Sequence, residues 1–355
     1  MSTRPLKERF HALDLLRGFF IVTIICDHLS RWPSIFGVLS GKALLWVTAA
    51  EGFVIISGLL VGYIRGYKAK AVELKTIAKK LWYRAFTLYL WAVIGSVVYT
   101  IILWYAPLVG GAPSPEIAQG DWVSLILRSL ILDYTFIWVY FLKLYALFLA
   151  VAPLAIWLLR KGQAWSVVLL SFIGLAIGWM TRSEVLQWQF IFFIPVVAGY
   201  CMPTIQGWWQ KMSPVKRASL TIAIITATIA TIVLSYIGVY HPLSSSVLDT
   251  MTVSAFAKDS ISLLRAATAF LWFTAFVLLF TYSQKFIQRW FGWLLMPIGT
   301  HSLTAYIVHG AAIIIISALF VSTDNFIGNT LLDIFAILIV LAIVKIPGIN
   351  RVIPR

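Results

Sequence analysis

The sequence predicts an all-α polytopic transmembrane bundle of about ten helices with both termini in the cytoplasm, and three observations predict it. The 355-residue chain is 61% apolar and only 12% charged, too little polar surface to coat a water-soluble globule of that length. Apolar stretches able to cross roughly 30 Å of hydrocarbon recur from end to end. Lysine and arginine fall in every second gap between those stretches, the positive-inside pattern. The formal charge of +15 is therefore distributed as a topology signal rather than gathered into a patch for nucleic acid.

The first apolar run, 14–30, follows Arg4, Lys7 and Arg9, and no small-residue cleavage site follows Leu29, so it reads as a retained helix. Further spans are expected at 43–64, 83–105, 134–159, 164–180, 187–205, 218–239, 261–282, 294–320 and 329–346. The even gaps carry Arg65, Lys68, Lys70, Lys75, Lys79, Lys80 and Arg84, then Arg160 and Lys161, then Lys211, Lys216 and Arg217, then Lys285 and Arg289. Turn-rich odd gaps, Pro107 to Asp121 and His241 to Lys258, belong on the far side. The stretch from Arg65 to Arg84 has helical character and suits a membrane-surface segment that anchors topology. Nothing separates a soluble domain from residues 1–355, which read as one integral membrane domain. Cys26 and Cys201 lie in apolar context and form no disulfide framework. Without a Walker loop, GxSxG, HExxH or cysteine cluster, metal and nucleotide hydrolase classes lack support, and no metal is expected.

A charge inside hydrocarbon is costly, which makes each intramembrane ionisable group a functional candidate. The first helix has Asp14, Arg17, Asp27 and His28. Arg17 and His28 stand eleven positions apart, almost three whole turns, so they share a face with roughly 16 Å of rise between them. A cation at the cytoplasmic edge and an imidazole deep in the membrane suit a long anionic donor such as a coenzyme A thioester. The competing reading is an arginine that snorkels and a histidine that packs. Asp27 points about a quarter-turn away from His28. In the second helix Glu51 shares a face with Gly58 and Gly62, followed by Gly66, so its carboxylate is directed into a tight helix contact. Buried there, it needs a cation or imidazole, with His28, Lys143 and the arginines as candidates. Ser302, Tyr306 and His309 share one face of the ninth helix, where interhelical hydrogen bonding is the first expectation. Lys143 and Tyr145 lie in the fourth helix, where Lys143 also suits Asp133 as a structural partner. Trp188 and Gln189 open the sixth in a position compatible with an aromatic belt, and Lys258 and Arg265 flank the outer start of the eighth.

Several segments resemble the OpgC-type membrane proteins, osmoregulated periplasmic glucan succinyltransferases within the wider acyltransferase family 3 group. They are Leu13-Asp14-Leu15-Leu16-Arg17-Gly18 with Asp27-His28, Ala50-Glu51-Gly52-Phe53 with Ser57-Gly58, and Arg84-Ala85 with Leu88-Tyr89. Others are Phe141-Leu142-Lys143-Leu144-Tyr145 with Pro153, Trp188-Gln189, Lys258 with Leu263-Leu264-Arg265, and Gly299 with Ser302-Leu303. The resemblance implies a multi-pass protein of the bacterial inner membrane. It would move a succinyl or acetyl group from cytoplasmic acyl-CoA to a hydroxyl of a glucan or other envelope carbohydrate. It further implies that Arg17 and Arg84 meet the donor, that His28 is the catalytic base, and that Glu51, with Asp27, is its acidic partner. The matched Lys143, Tyr145, Trp188, Gln189, Lys258, Arg265 and Ser302 would face substrate. Membrane lipid, acyl-CoA and a carbohydrate acceptor are the implied partners, and no oligomeric state is specified. A transporter or flippase is the rival class. It calls for internal repeats with paired broken helices, and the charges here concentrate instead in the first two helices.

Overall fold

The structure, a computed structural model, describes residues 6–106, 113–240 and 247–349, and every regular element among them is helical. In chain order these are α1 (Leu6–Leu29), α2 (Ile35–Ser40), α3 (Ala49–Leu60, continuing as a π-helical stretch to Lys68), α4 (Leu74–Tyr105) and α5 (Trp122–Leu130). Next come α6 (Tyr140–Arg160), α7 (Ala164–Thr181), α8 (Glu184–Trp188), α9 (Phe190–Tyr200), α10 (Met202–Lys211) and α11 (Pro214–Tyr240). The chain ends through α12 (Val247–Ser254), α13 (Leu263–Tyr282), α14 (Gln284–Thr300), α15 (Ser302–Leu319) and α16 (Phe326–Lys345).

Eight of these, namely α3 with its extension, α4, α6, α7, α11, α13, α15 and α16, are long and apolar enough to cross a membrane. The run α8 to α10, bent by 63° at its break, is a ninth. Helix α1 has 24 residues and rises about 36 Å, long enough to cross, but Asp14, Arg17 and Asp27 set its composition apart. Outward faces are apolar, as lipid requires. Only 17% of the apolar window of α11 is buried, with Ile222, Ile229 and Val233 turned outward.

The structure differs from expectation where short elements lie between spans. The Arg65–Arg84 stretch is no separate surface helix. Arg65 and Lys68 end the π-helical extension of α3, whereas Lys75, Lys79, Lys80 and Arg84 line the first turns of α4. At 32 residues, roughly 48 Å, α4 is longer than the hydrocarbon is thick, and its cations gather in its first third. Of the far-side segments, residues 107–112 and 241–246 lie outside the described residues, as does Arg4. The remainder of the first forms α5, capped by Asp121, which accepts from Ser124 N–H at 3.1 Å, with Val123, Ile126, Leu127 and Leu130 exposed along it. That apolar face suits the headgroup boundary. The ninth span starts later than expected, because the chain breaks at His301 between α14 and α15.

The chain divides into two compact packing units. One comprises Met1–Leu13, Ala43–Trp82 and Phe148–Lys285. Its centre is the crossing of α3 with α9, where backbones meet directly. A methyl group at Gly58 would overlap the Phe192 carbonyl, one at Gly62 the Val196 carbonyl, and one at Gly199 the Leu59 carbonyl. Arg160, at the end of α6, donates to the Val72 carbonyl at 2.8 Å and fastens the turn before α4.

The other unit comprises Asp14–Lys42, Tyr83–Leu147 and Phe286–Arg355. Here α1 crosses α14 at glycines on both sides, since a methyl at Gly18 would strike the Leu295 carbonyl and one at Gly299 the Asp14 carbonyl. Helix α15 is set against α4 and the 136–139 segment by Tyr99, whose hydroxyl donates to the Ile307 carbonyl at 2.5 Å. The rings of Tyr99 and Trp138 fill the notch left by Gly310.

The glycine crossings are testable. Gly62→Ala and Gly299→Ala are expected to destabilise the protein by about 1–3 kcal/mol through overpacking, read as a lower unfolding temperature in detergent by tryptophan fluorescence. Gly207→Ala, at a site with nothing within 4 Å of the new methyl, is expected to leave that temperature unchanged or raised. Equal behaviour of all three variants would contradict the packing.

Candidate functional site

The ionisable residues singled out in the sequence fall into two clusters, one in each packing unit, and the clusters differ in how completely their polar groups are met.

The first is built on Glu51. Helix α3 begins with a capping box, in which the Glu51 carboxylate accepts the Thr48 N–H at 3.0 Å as well as the Thr48 hydroxyl. Its other oxygen, Oε1, accepts Arg265 Nε–H at 2.8 Å and a second donor from Arg265 Nη2. Both side chains are buried, at 0% and 2% exposure. Arg265 Nη1 in turn donates to the carbonyls of Ala257 and Ser260, each at 2.8 Å, and Lys258 Nζ donates to the Leu45 carbonyl. Trp188 lies beside the Arg265 guanidinium, 5.8 Å from ring centre to Cζ. Gln187 accepts Ile261 N–H at 2.8 Å, and Gln189 donates to the Ser171 carbonyl at 2.8 Å. Glu51 thus finds its cation in Arg265. With both carboxylate oxygens engaged by the chain, Glu51 pins the 255–262 segment to the start of α3, and the acid–base part expected of it does not fit this arrangement. Trp188, Gln189, Lys258 and Arg265, expected to face substrate, are engaged in the same scaffold.

The second cluster lies along α1. Toward its N-terminal end Arg17 Nη2 donates to Ser302 Oγ at 2.5 Å, while Asp14 stands off at 3.8 Å. Tyr145 and Arg84 lie within electrostatic range of the same guanidinium. Four residues expected to contact donor or substrate, Arg17, Arg84, Tyr145 and Ser302, are therefore brought together. The Nε–H of Arg17 is buried without an acceptor among the described residues. Two guanidiniums meet near one carboxylate, and the unmet buried donor on Arg17 suits an anion. The Lys143 ammonium lies 5.8 Å from the centre of the Tyr140 ring. Asp133, the structural partner considered for Lys143, is taken by Arg128 at 2.6 Å.

Farther along α1, His28 Nδ1 is 2.7 Å from His309 Nε2, and His309 Nδ1 contacts the Tyr306 carbonyl. A carbonyl only accepts, so His309 carries its proton on Nδ1. With both rings neutral, His309 Nε2 then presents a lone pair, His28 Nδ1–H donates to it, and the lone pair of His28 is left on Nε2. His309 is fully buried and His28 only partly so. The partner that orients His28 is thus His309, where Glu51 or Asp27 was expected. The side of the imidazole, not the chain neighbour, decides: Asp27 projects a quarter-turn away, near Cys26. Tyr306, its hydroxyl 3.4 Å from Phe141 N–H, and Tyr99 fix the turn of α15 that aims His309 at α1.

Arg17 to Ser302 and His28 to His309 ascend both helices together, so α1 and α15 run parallel. Parallel packing is what the first and ninth spans of an alternating bundle require. Sequence reasoning placed Ser302, Tyr306 and His309 on one face and expected interhelical hydrogen bonds from them. Spacing within α15 does not reveal that His28 is the hydrogen-bond partner of that face. Sequence reasoning also passed over Arg31, Asn329 and Asp333, all buried. Asp333 carried a signal, as the only acid in the apolar run of α16.

The Glu51–Arg265 pair carries its own test. Arg265→Ala or Glu51→Ala is expected to cost about 3–5 kcal/mol of stability, because each leaves a buried charge uncompensated. A Glu51→Leu, Arg265→Leu double variant is expected to recover most of that loss, measured by thermal unfolding of purified protein. Single variants as stable as the parent would rule the anchor out.

No curated protein and no solved structure matches this sequence. A family profile described as OpgC protein matches residues 9–350, nearly the whole chain. That match brings with it a membrane acyltransferase-like function in general terms, and the chain belongs to the OpgC family.

Proposed function

We propose that the protein is an O-acyltransferase of the bacterial inner membrane, using cytoplasmic succinyl-CoA or acetyl-CoA to acylate a hydroxyl of a periplasmic glucan or related envelope carbohydrate. The hydrogen-bonded chain from His28 through His309 to the Tyr306 carbonyl carries this reading, because it leaves the lone pair at Nε2 of a ring that is only partly buried. In the reaction His28 Nε2 removes the acceptor hydroxyl's proton as that oxygen bonds to the thioester carbon. The carbon–sulfur bond then breaks, and the thiolate leaves with the proton that His28 returns, so that the products are an ester and free thiol. His309 acts as a positioning residue. It accepts from His28 Nδ1–H throughout and holds the tautomer that keeps Nε2 available, the part that a carboxylate has in a serine hydrolase.

Arg17 and Arg84 supply the charge for the donor's phosphates. The buried, unmet Nε–H of Arg17 is the local feature that supports an anion there. The roughly 16 Å of rise from Arg17 to His28 matches a donor whose phosphates and thioester lie at opposite ends of a flexible arm. Glu51 and Arg265 contribute by fixing the segments they tie, not by contact with reacting atoms.

Purified protein supplied with labelled succinyl-CoA or acetyl-CoA and a glucan acceptor is expected to transfer label. His28→Gln should lower the rate about 10²–10⁴-fold. His309→Ala should lower kcat while leaving KM for acyl-CoA unchanged, and Arg17→Gln should chiefly raise that KM. Wild-type transfer by a folded His28→Gln protein would sink the base assignment. Accumulation of solute in proteoliposomes without acyl transfer would favour the transporter class instead.

A further inference from the structure

The turn that follows α1 and the first half of α16 bring together a set of buried polar groups that the reaction outlined above leaves unused. Arg31 is 2% exposed and donates once, from Nη2 to the Phe320 carbonyl at 2.9 Å, whereas its Nε and Nη1 have no acceptor among the described residues. Asp333, 1% exposed, is approached by the Ser34 hydroxyl, yet neither carboxylate oxygen has a hydrogen bond of good geometry. Asn329 is fully buried, and its amide nitrogen donates to the carbonyls of Pro33 at 3.1 Å and Thr323 at 2.8 Å. That pair of bonds fixes the amide orientation and leaves Oδ1 as an unmet acceptor. Asn329 and Asp333 are one turn apart on α16 and so share a face. Arg31 and Asp333 lie within electrostatic range of each other without closing into an ion pair.

Unmet donors and acceptors of this number are expensive to bury, and a guanidinium beside a carboxylate would ordinarily collapse onto it. A third group that both donates and accepts satisfies all of them. An anion would face Asp333 and a cation would face Arg31, so the complementary group is neutral. A pair of neighbouring hydroxyls fits, giving protons to Asp333 and to Asn329 Oδ1 while accepting from Arg31. We infer that Arg31, Asn329 and Asp333 form a binding site for a neutral polyhydroxyl ligand, a sugar diol. Arg31 follows His28 by three residues, at most about 10 Å of chain, so the site lies at the same end of α1 as the imidazole. That the bound sugar is the acyl acceptor rests on the acyltransferase reading; that the site binds a sugar does not.

The experiment separates the two. Purified full-length protein in detergent, with no acyl donor, is titrated with the neutral glucose oligomer laminaritetraose and, in parallel, with glucuronic acid and glucosamine oligomers of similar length, following heat of binding. Wild type should bind the neutral sugar saturably and the charged ones at least about tenfold more weakly. Asn329→Ala and the paired Arg31→Gln, Asp333→Asn variant should each lose at least about tenfold in affinity for the neutral sugar. The paired variant avoids stranding one charge, and Asn329→Ala leaves both charges in place should the paired variant fail to fold. Absence of saturable binding by wild type means that water alone meets these groups, and it overturns the site, as do unchanged affinity in the variants and equal binding of all three sugars. Sugar binding in a protein that transfers no acyl group would leave the site standing and remove the acyltransferase reading. Acyl transfer with variant-insensitive sugar binding would do the reverse.

Discussion

Inside hydrocarbon there is no water to complete an unfinished hydrogen bond, and that constraint sorts the polar residues of this chain more sharply than their identity does. Glu51 and Arg265 look alike to a sequence reader and to a physical chemist as costly buried charges. In the structure each is finished by the chain: carboxylate by arginine and capping box, guanidinium by carboxylate and loop carbonyls. A group so completely engaged is rigid, and its value is to hold two segments in register. Arg17, His28, Arg31, Asn329 and Asp333 are in the opposite condition. Each retains a donor or acceptor that the described residues do not meet, or an edge that only a neighbouring molecule can use. The division between scaffold and reactive surface follows from counting lone pairs and protons, with no appeal to which residue types are usually catalytic.

Much of this was legible in the sequence because it depends on local periodicity. The apolar runs give most of the long helices, and the shared face of Arg17 and His28 follows from 1.5 Å and about 100° per residue; both reach α15. The glycines at 58 and 62 announced a close crossing, and α9 supplies it with the reciprocal Gly199. What was not legible is non-local. The partner of His28 lies 281 positions away, and nothing in the spacing of either helix specifies that α1 and α15 meet. Glu51 demanded a cation, but the chain offers 28 lysines and arginines, and only tertiary packing selects Arg265. Short interfacial elements such as α5 escaped for a different reason. A nine-residue amphipathic helix bounded by turn residues gives no hydropathy peak.

The polar network around α15 shows how a helix in lipid is held at one rotation. Tyr99 and Trp138 close on Gly310, Tyr306 reaches the start of α6, and Arg17 and His28 take hold of Ser302 and His309 from the other side. Because Ser302 and His309 are two turns apart on one face, a rotation that broke one of the α1 contacts would break the other. The tautomer of His28 therefore depends on packing distributed over three elements rather than on a single neighbour. Such distribution is how a site built from weak, neutral hydrogen bonds becomes preorganised in the absence of a fixed carboxylate.

Helix α1 then acquires a polarity of function along its length. Its N-terminal half presents a cation with an unmet proton, its C-terminal end presents an imidazole lone pair, and the turn beyond that end presents the donors and acceptors of Arg31 and its neighbours on α16. A donor that is anionic at one end and acylated at the other can be read by the first two stations only if they lie on one face and in that order, which the eleven-residue spacing provides. An acceptor that arrives from the opposite side must meet the same imidazole without displacing the donor. In the proposed reaction, hydroxyl-directed recognition past His28 would keep the two substrates on either side of one basic nitrogen. For the proposed reaction, that ordering along a single helix would set donor and acceptor on either side of one imidazole.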